Sequence, residues 1–422
     1  MKYTKKVLQN GLTVIEVPSS DAESVVVDFF VKTGSRSETE KENGISHFLE
    51  HFLFKGTKKY PSALAISSLI DSIGGEVNAN TGKEHTQYYI KAASKHLELI
   101  FEVLTDMIQN PLLDAVELER EKGVIVEEIN MYKDTPMYEI ENILEQNMWP
   151  GDALGRDIAG TKESVTKFTT EMFSDYINRH YQTPNMILGV SGKYDNKKFQ
   201  ALIKKYWLTF PKKKFHGWDK VKDKQTQPRF KIQFKETEQA HLALGFKGFQ
   251  YGDKRNAAQS VLASILGGGM SSRLFMEVRE RRGLAYYVRS SPGSYQDTGV
   301  FTIGSGLQIT KIEEALEIIL KELKKIQTEL VPETELRKAK EYIKGKTILA
   351  LEDNQVRLDW FLERCAFYKK VDGPKDAFKR IEAVTAKEVQ NAAKDLFKAS
   401  TATLAVIGPY KDQEKFKKLL KV

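Results

Sequence analysis

The sequence predicts an α+β fold made twice: two repeated domains, each a mixed or antiparallel sheet with helices packed on one face. Three observations predict it. Thr169 to Tyr194 (TTEMFSDYINRHYQTPNMILGVSGKY) matches Thr385 to Tyr410 (TAKEVQNAAKDLFKASTATLAVIGPY) without gaps, 216 residues later. Both windows read as helix, turn, apolar strand and a Gly-x-Tyr exit, and self-similarity at a fixed offset marks a duplicated unit. A weaker match pairs the strands and helix of Val77 to Gln109 with Leu284 to Gln327, and the helix from Glu117 with that from Glu335. Finally, 422 residues with 41% hydrophobic and 29% charged side chains, 12 Pro and 28 Gly suit domains with real cores and exclude collagen-like or disordered chains.

Along the chain, Leu12 to Val17 and Ser24 to Lys32 are short apolar runs that read as strands, and a helical segment spans Ile45 to Phe54. Ser62 is placed to cap a helix through Ile73, closed by Gly74 and Gly75. Val77 to Ala92 reads as strands, Lys95 to Gln109 as an amphipathic helix stopped before Pro111, and helical pattern resumes at Asp114. Each matched window is followed by a short Lys-rich helix. The polar stretch Phe210 to Pro228 (FPKKKFHGWDKVKDKQTQP) suits a join. The expected division is therefore a domain over 1–212, a linker over 213–228 and a second domain over 229–422.

The formal charge is +8. The lysines are scattered, and the densest clusters, Lys212 to Lys214 and Lys417 to Lys418, are short and without interleaved aromatics, so a nucleic-acid partner is not expected. Cys365 is the single cysteine. It cannot form an intramolecular disulfide or a cysteine zinc ribbon, so any metal must be held by His and carboxylates. The start, MKYTKKVLQNGLTVIEV, is broken by Asn-Gly, and no apolar run approaches ~18 residues. The expectation is a cytoplasmic chain, or a mature processed one, with no membrane partner.

Chemistry concentrates in His47-Phe48-Leu49-Glu50-His51. At the helical step, His51 lies about 40° round from His47 and Glu50 about 60° to the other side, so all three share one face. Two imidazoles at i, i+4 can grip one tetrahedral zinc, and a carboxylate beside them can take a proton from water. A random chain of this composition would show the pattern on the order of 0.01 times. The surroundings, ISHFLEHFLF, are too apolar for a solvated face, and polar groups buried among them need partners, which a metal supplies.

Zinc held by two histidines needs a third protein ligand and an open position. In the helix Glu117 to Asn130, Glu121 and Glu128 are seven apart and only ~20° off one face, whereas Glu127 points about 100° away from Glu128. The matching positions of the second half are Ala339 and Lys346. Alone, Glu121 and Glu128 would read as surface helix charges; beside His47 and His51 they become a candidate carboxylate pair. Gly267 to Gly269 lacks the Lys-Ser/Thr that a phosphate-binding loop requires, so a turn between helices is expected there.

The stretch Gly44 to Pro61 (GISHFLEHFLFKGTKKYP) closely resembles the inverted-zincin metallopeptidases of the pitrilysin, insulysin and mitochondrial-processing-peptidase group. GGEVNANTGKEHTQYY (Gly74 to Tyr89) is similar to that family's active-site strand, EREKGVIVEE (Glu119 to Glu128) to its third-ligand helix, and RERRGLAYYV (Arg279 to Val288) to its Arg/Tyr segment. The resemblance implies one zinc per chain on His47, His51 and Glu128, with Glu50 as general base and Glu121 orienting the ligands. It implies Phe54 beside the scissile bond and Asn78, Ala79 and Thr81 on an edge strand that takes the peptide as an added strand. It also implies that Arg279 and Tyr286 steady the oxyanion; from the residues alone, a surface Arg and a core Tyr remain the alternative.

Long members of the family carry four such domains, and this chain has two. The resemblance therefore implies a homodimer, the other copy supplying Arg279 and Tyr286, that closes a chamber around short or unfolded peptides and hydrolyses them as a zinc endopeptidase. A catalytically silent scaffold or partner subunit of the same family is the other expectation.

Overall fold

The structure, a computed structural model, describes residues 1–215, 217–412 and 414–420. In chain order the first half holds β1 (Thr4–Val7), β2 (Thr13–Pro18), β3 (Ser24–Val31), α1 (Ile45–Phe52), α2 (Ala63–Asp71), β4 (Glu76–Thr81), β5 (Thr86–Ala93), α3 (Leu97–Gln109), α4 (Ala115–Asp134), α5 (Pro136–Met148), α6 (Lys162–Val165), α7 (Thr170–His180), β6 (Met186–Gly192) and α8 (Asn196–Tyr206). The second half holds β7 (Arg229–Phe234), β8 (Ala240–Lys247), α9 (Asn256–Gly267), β9 (Ala285–Ser294), β10 (Gly299–Leu307), α10 (Ile312–Thr328), α11 (Glu333–Ala350), α12 (Asn354–Phe367), α13 (Pro374–Ala383), α14 (Ala386–Leu396), β11 (Thr403–Gly408) and α15 (Glu414–Leu419). Among the described residues no helix is long and apolar enough to cross a membrane.

The strands form two mixed sheets, ordered β1-β2-β6-β3-β5-β4 and β7-β11-β8-β10-β9. In each, one parallel pair, β2–β6 or β7–β11, joins strands that are otherwise antiparallel. The matched windows fold alike. Thr169 and Thr385 cap α7 and α14 by accepting the N–H of Met172 and Glu388, and a 3₁₀ turn leads each helix into β6 or β11.

Alternation along β3 divides its side chains between two layers. Val25, Val27, Phe29 and Val31 join Phe48 and Phe52 of α1, Phe101 of α3, Phe173 of α7 and Trp207 in the main core. Val26 and Phe30 face the other way, with Ile15, Val17 and Ile187, and meet Leu358, Phe361 and Leu362 of α12. The second sheet repeats the plan: Leu242, Leu244, Phe301 and Val406 pack under α9, α10 and α14, while Ala243, Ala405 and Ile407 meet Ile140, Ile143 and Leu144 of α5.

The expected layer of helices on one face is therefore present in both repeats, and a single helix from the other half of the sequence covers each opposite face. The compact units are discontinuous as a result: 1–130, 156–219 and 350–371 form one, and 131–155, 220–349 and 372–422 the other. The linear division at 213–228 leaves out both excursions, since α12 buries its apolar side on the first sheet and α5 on the second. Close approach fixes one of these contacts: a Cβ on Gly189 of β6 would stand 2.9 Å from the Leu358 side chain. The polar join is tied down at both ends, Trp218 lying under the Arg36 guanidinium at 3.9 Å and Val221 N–H donating to Asp297.

Candidate metal centre

Helix α1 begins at Gly44, whose φ of +96° lies in the left-handed region. A Cβ there would come within 2.6 Å of the Ala159 carbonyl oxygen, so glycine is required on both counts. Burial of Ile45, Phe48, Leu49 and Phe52 then sets the rotation of the helix. His47, Glu50 and His51 are left largely buried but accessible along its edge, beside α4 and β4.

His47 Nε2 lies 3.7 Å from Glu128 Oε1, and His51 Nε2 lies 3.5 Å from Glu128 Oε2. One donor atom from each of these three residues falls within 4.8 Å of the others. Donors on a tetrahedral zinc, with bonds of about 2.0–2.1 Å, stand about 3.3 Å apart, so the two nitrogens and the carboxylate fit such a shell. Among the described residues no fourth His, Cys, Asp or Glu joins the group, which leaves one corner without a protein ligand.

Seven residues before Glu128, Glu121 is only 3% exposed. Its Oε1 meets His51 Nδ1 at 3.0 Å and its Oε2 meets Lys55 Nζ at 2.6 Å. A proton on Nδ1 facing a carboxylate leaves the Nε2 lone pair free for a metal. Glu50 stands apart from the ligand trio, its carboxylate accepting the Thr81 hydroxyl of β4.

The electrostatics follow from burial and from these partners. Burial, with His51 adding to it, pulls His47 down to about 4, so its imidazole is neutral near neutral pH. Burial alone would lower His51 too, but the bond to Glu121 and the charges of Glu128, Glu121 and Glu50 raise it. Glu121 resists burial through His51 and Lys55 and stays below the usual carboxylate range. Burial raises Glu50, against the pull of the Thr81 bond, which makes it a stronger base than an exposed carboxylate.

Asn78, Ala79 and Thr81 lie on β4, the outermost strand, paired with β5 on one side only. Ala79 and Thr81 turn inward, while Asn78 is exposed and its Oδ1 accepts the Ala79 N–H at 2.8 Å. Phe54 sits in the 3₁₀ turn after α1, half-buried against the core. Arg279 and Tyr286 come together in the second unit: a π-helix over Phe275–Glu280 carries the guanidinium to 5.6 Å from the Tyr286 ring. Tyr286 is 73% exposed, so it is not a core tyrosine. Ala339 and Lys346 occupy α11, at the register where α4 has its two glutamates.

Sequence reasoning missed two residues around this centre. Lys55 was signalled by its position four after His51 in HFLFK, one helical turn on, where it holds the far oxygen of Glu121. Glu38 has no such local mark. Its carboxylate accepts the N–H groups of Gly44 and Ser46 at the head of α1.

Comparison with known proteins separates the two halves as well. Residues 13–162 match the family model described as insulinase (peptidase family M16), and residues 167–343 match that of the peptidase M16 inactive domain. A Bacillus subtilis protein named as an uncharacterized zinc protease is 36% identical, over 95% of this chain and 97% of its own length. A Streptomyces coelicolor protein of like name is 34% identical, over 96% and 90%. The crystal structure of a protease from Helicobacter pylori superposes with a TM-score of 0.90 at 25% identity, covering 96% of this chain and 99% of that one. A peptidase M16 inactive domain from Pseudomonas fluorescens shares the fold, with a TM-score of 0.89 at 19% identity over 98% and 100%. Relatives named as zinc proteases span the chain nearly end to end, and its two histidines and glutamate gather in the half that the insulinase model covers: the chain is a member of the M16 family, the pitrilysin-like peptidases.

Proposed function

We propose that this chain is a zinc-dependent endopeptidase that hydrolyses short or unfolded peptides inside a chamber closed by two copies. The observation that carries the reading is the convergence of His47, His51 and Glu128, with Glu50 beside them but outside the ligand set. Zinc, when bound, supplies Lewis acidity toward the scissile carbonyl. Glu50 takes the proton of the attacking water and passes it to the leaving amine, a role suited to a carboxyl whose pKa burial has raised. Glu121 keeps the His51 ring in register, and Lys55 keeps Glu121 ionised.

The open side of β4 takes the peptide as an added strand, so main-chain hydrogen bonds hold it with little demand on sequence. Arg279 and Tyr286, supplied by the other copy, donate to the developing oxyanion. The other reading, a catalytically silent scaffold or partner subunit, draws on the match of residues 167–343 to an inactive-domain model; the His47, His51 and Glu128 cluster in the first half favours the enzyme.

Cleavage of quenched-fluorescent peptides, with chelator and zinc add-back, tests the reading. Chelator-sensitive hydrolysis is expected, and Glu50→Gln should lose about 10²–10⁴-fold in kcat while binding zinc as before. A zinc-loaded wild-type protein that cleaves no peptide would mark a silent subunit. Wild-type rates from the Glu50→Gln variant would remove Glu50 from its role.

A further inference from the structure

The two histidines of the centre are held differently. His51 is fixed from outside its helix by Glu121. His47 Nδ1 is buried with no hydrogen-bond partner, so no hydrogen bond from that nitrogen orients the ring. Its aim depends on the first turn of α1, the turn in which it lies. That turn lacks an ordinary cap, since Gly44 at the N-cap has no side chain to offer the free N–H groups.

Glu38 supplies the cap from outside the helix. Only 4% exposed, it accepts Gly44 N–H at 2.8 Å and Asn43 Nδ2 at 3.3 Å on Oε2, and Ser46 N–H at 2.9 Å on Oε1. Its surroundings hold it in place. Arg156 donates to the Glu38 carbonyl, Asn43 Nδ2 also reaches the Asp157 carbonyl at 2.9 Å, and Ser46 Oγ pairs with Tyr176 OH of α7 at 2.6 Å. The carboxyl thus ties the N-cap of α1 to its first turn, and Ser46, one of the residues it holds, immediately precedes His47. Burial of an acid this deep is costly unless its oxygens are satisfied, and here the donors that satisfy them are those at the head of α1.

We propose that Glu38 is a positioning residue for the metal centre: by capping α1 across the Gly44 entry it fixes the first helical turn and thereby the direction in which His47 presents Nε2. The inference rests on the zinc reading above. It makes zinc affinity, rather than fold stability alone, depend on a side chain that touches neither metal nor substrate.

The test compares two lost caps. Zinc affinity is measured by competition with a chelating dye, and Tm by circular dichroism, for the full-length wild type, Glu38→Ala, Glu38→Gln and Thr385→Ala. Thr385→Ala removes a side-chain cap from α14 in the second unit and lowers Tm without reaching α1. Glu38→Ala is expected to weaken zinc binding about 10–100-fold, the range seen for groups that orient ligands, while Thr385→Ala leaves it unchanged. Glu38→Gln, which keeps one accepting oxygen and the side-chain volume, is expected to fall between wild type and Glu38→Ala, and it serves alone if Glu38→Ala does not fold. Zinc affinity in the Glu38 variants no weaker than in Thr385→Ala would overturn the proposal. No zinc binding by the wild type would overturn the metal reading, and this inference with it.

Discussion

His47 and His51 are one helical turn apart and shifted in opposite directions, and the contrast fixes how the centre should respond to pH. A histidine must be neutral to bind zinc, so each proton it holds at a given pH competes with the metal. His51 is raised above 6.5, chiefly by Glu121 and Glu128 against its own burial, whereas burial holds His47 down at about 4. Zinc affinity should therefore rise with pH by about tenfold per unit through the range below the His51 pKa, one proton being displaced. A two-proton slope should appear only near pH 4. Dye competition across pH 4.5 to 8 reads this directly, and a two-proton slope at pH 6 would show that His47 is not held neutral. In the metal-free chain the sign reverses. Protonated His51 stabilises the fold below its unfolded pKa, and that contribution is lost as pH rises through the raised folded value. Glu121→Ala removes the partner that raises it. This variant should bring His51 down, leave Lys55 unpaired at the centre, and weaken zinc about 10–100-fold; an unchanged affinity would reduce Glu121 to a packing residue.

Packing of α12 and α5 on the sheets shows where local sequence is silent and what a repeat can recover. Their apolar contacts, Leu358, Phe361 and Leu362 in one and Ile140, Ile143 and Leu144 in the other, have the same spacing 218 residues apart. Three apolar positions in a polar helix make a weak amphipathic signal, and only the sheet they reach, far off in sequence, identifies the helices as covers. The α7–β6 and α14–β11 segments were legible because caps, turn and strand follow one another in the chain. The candidates for the metal centre were legible for a like reason, since His47 with His51, and Glu121 with Glu128, are spacings within single helices; the choice of Glu128 as the third ligand rests on the family resemblance. Glu38 was not legible, because it caps α1 from outside the helix at no regular spacing, nor was the Thr81 bond to Glu50, which tertiary folding makes. The α12 contact also buries a cluster of polar groups. Asp28 of β3 is fully buried, and Gln87 and Gln355 each donate to both Asp28 and Asp359 of α12. Burial, and then the charge of Asp359, push Asp28 well above the carboxylate range, the two glutamines opposing; burial raises Asp359 as well. The folded chain thus keeps a proton that the unfolded chain releases above about pH 4. The stability tied to it falls as pH rises from there through the folded pKa. Asp28→Asn should flatten that decline and gain about 1–3 kcal/mol over wild type between pH 5 and pH 8, read from urea unfolding. Parallel pH profiles for the two proteins would show that Asp28 does not hold that proton.

At the scale of the whole molecule, one duplicated unit has kept its metal residues while the other carries Ala339 and Lys346 at the matching register and presents Arg279 against an exposed Tyr286. In the symmetric pair proposed above, each zinc site would be completed by the second unit of the other copy. Complementation tests this sharing. Glu50→Gln lacks the base but keeps Arg279, and Arg279→Ala lacks the guanidinium but keeps Glu50, so each alone should be nearly inactive, the second by about 10²–10³-fold. Co-expressed in equal amounts, half of the dimers should be mixed. In a mixed dimer one site draws Glu50 from the Arg279→Ala chain and Arg279 from the Glu50→Gln chain, and is intact; the other lacks both. Peptide hydrolysis should therefore recover to about a quarter of the wild-type rate, a value set by symmetry alone. If Arg279 instead serves the zinc of its own chain, no pairing of these variants restores a site, and the mixture stays at the level of the two alone. Light scattering on the same sample separates that result from a failure to pair, because a chain that runs as a monomer yet cleaves peptides would exclude the shared site whatever the mixture does.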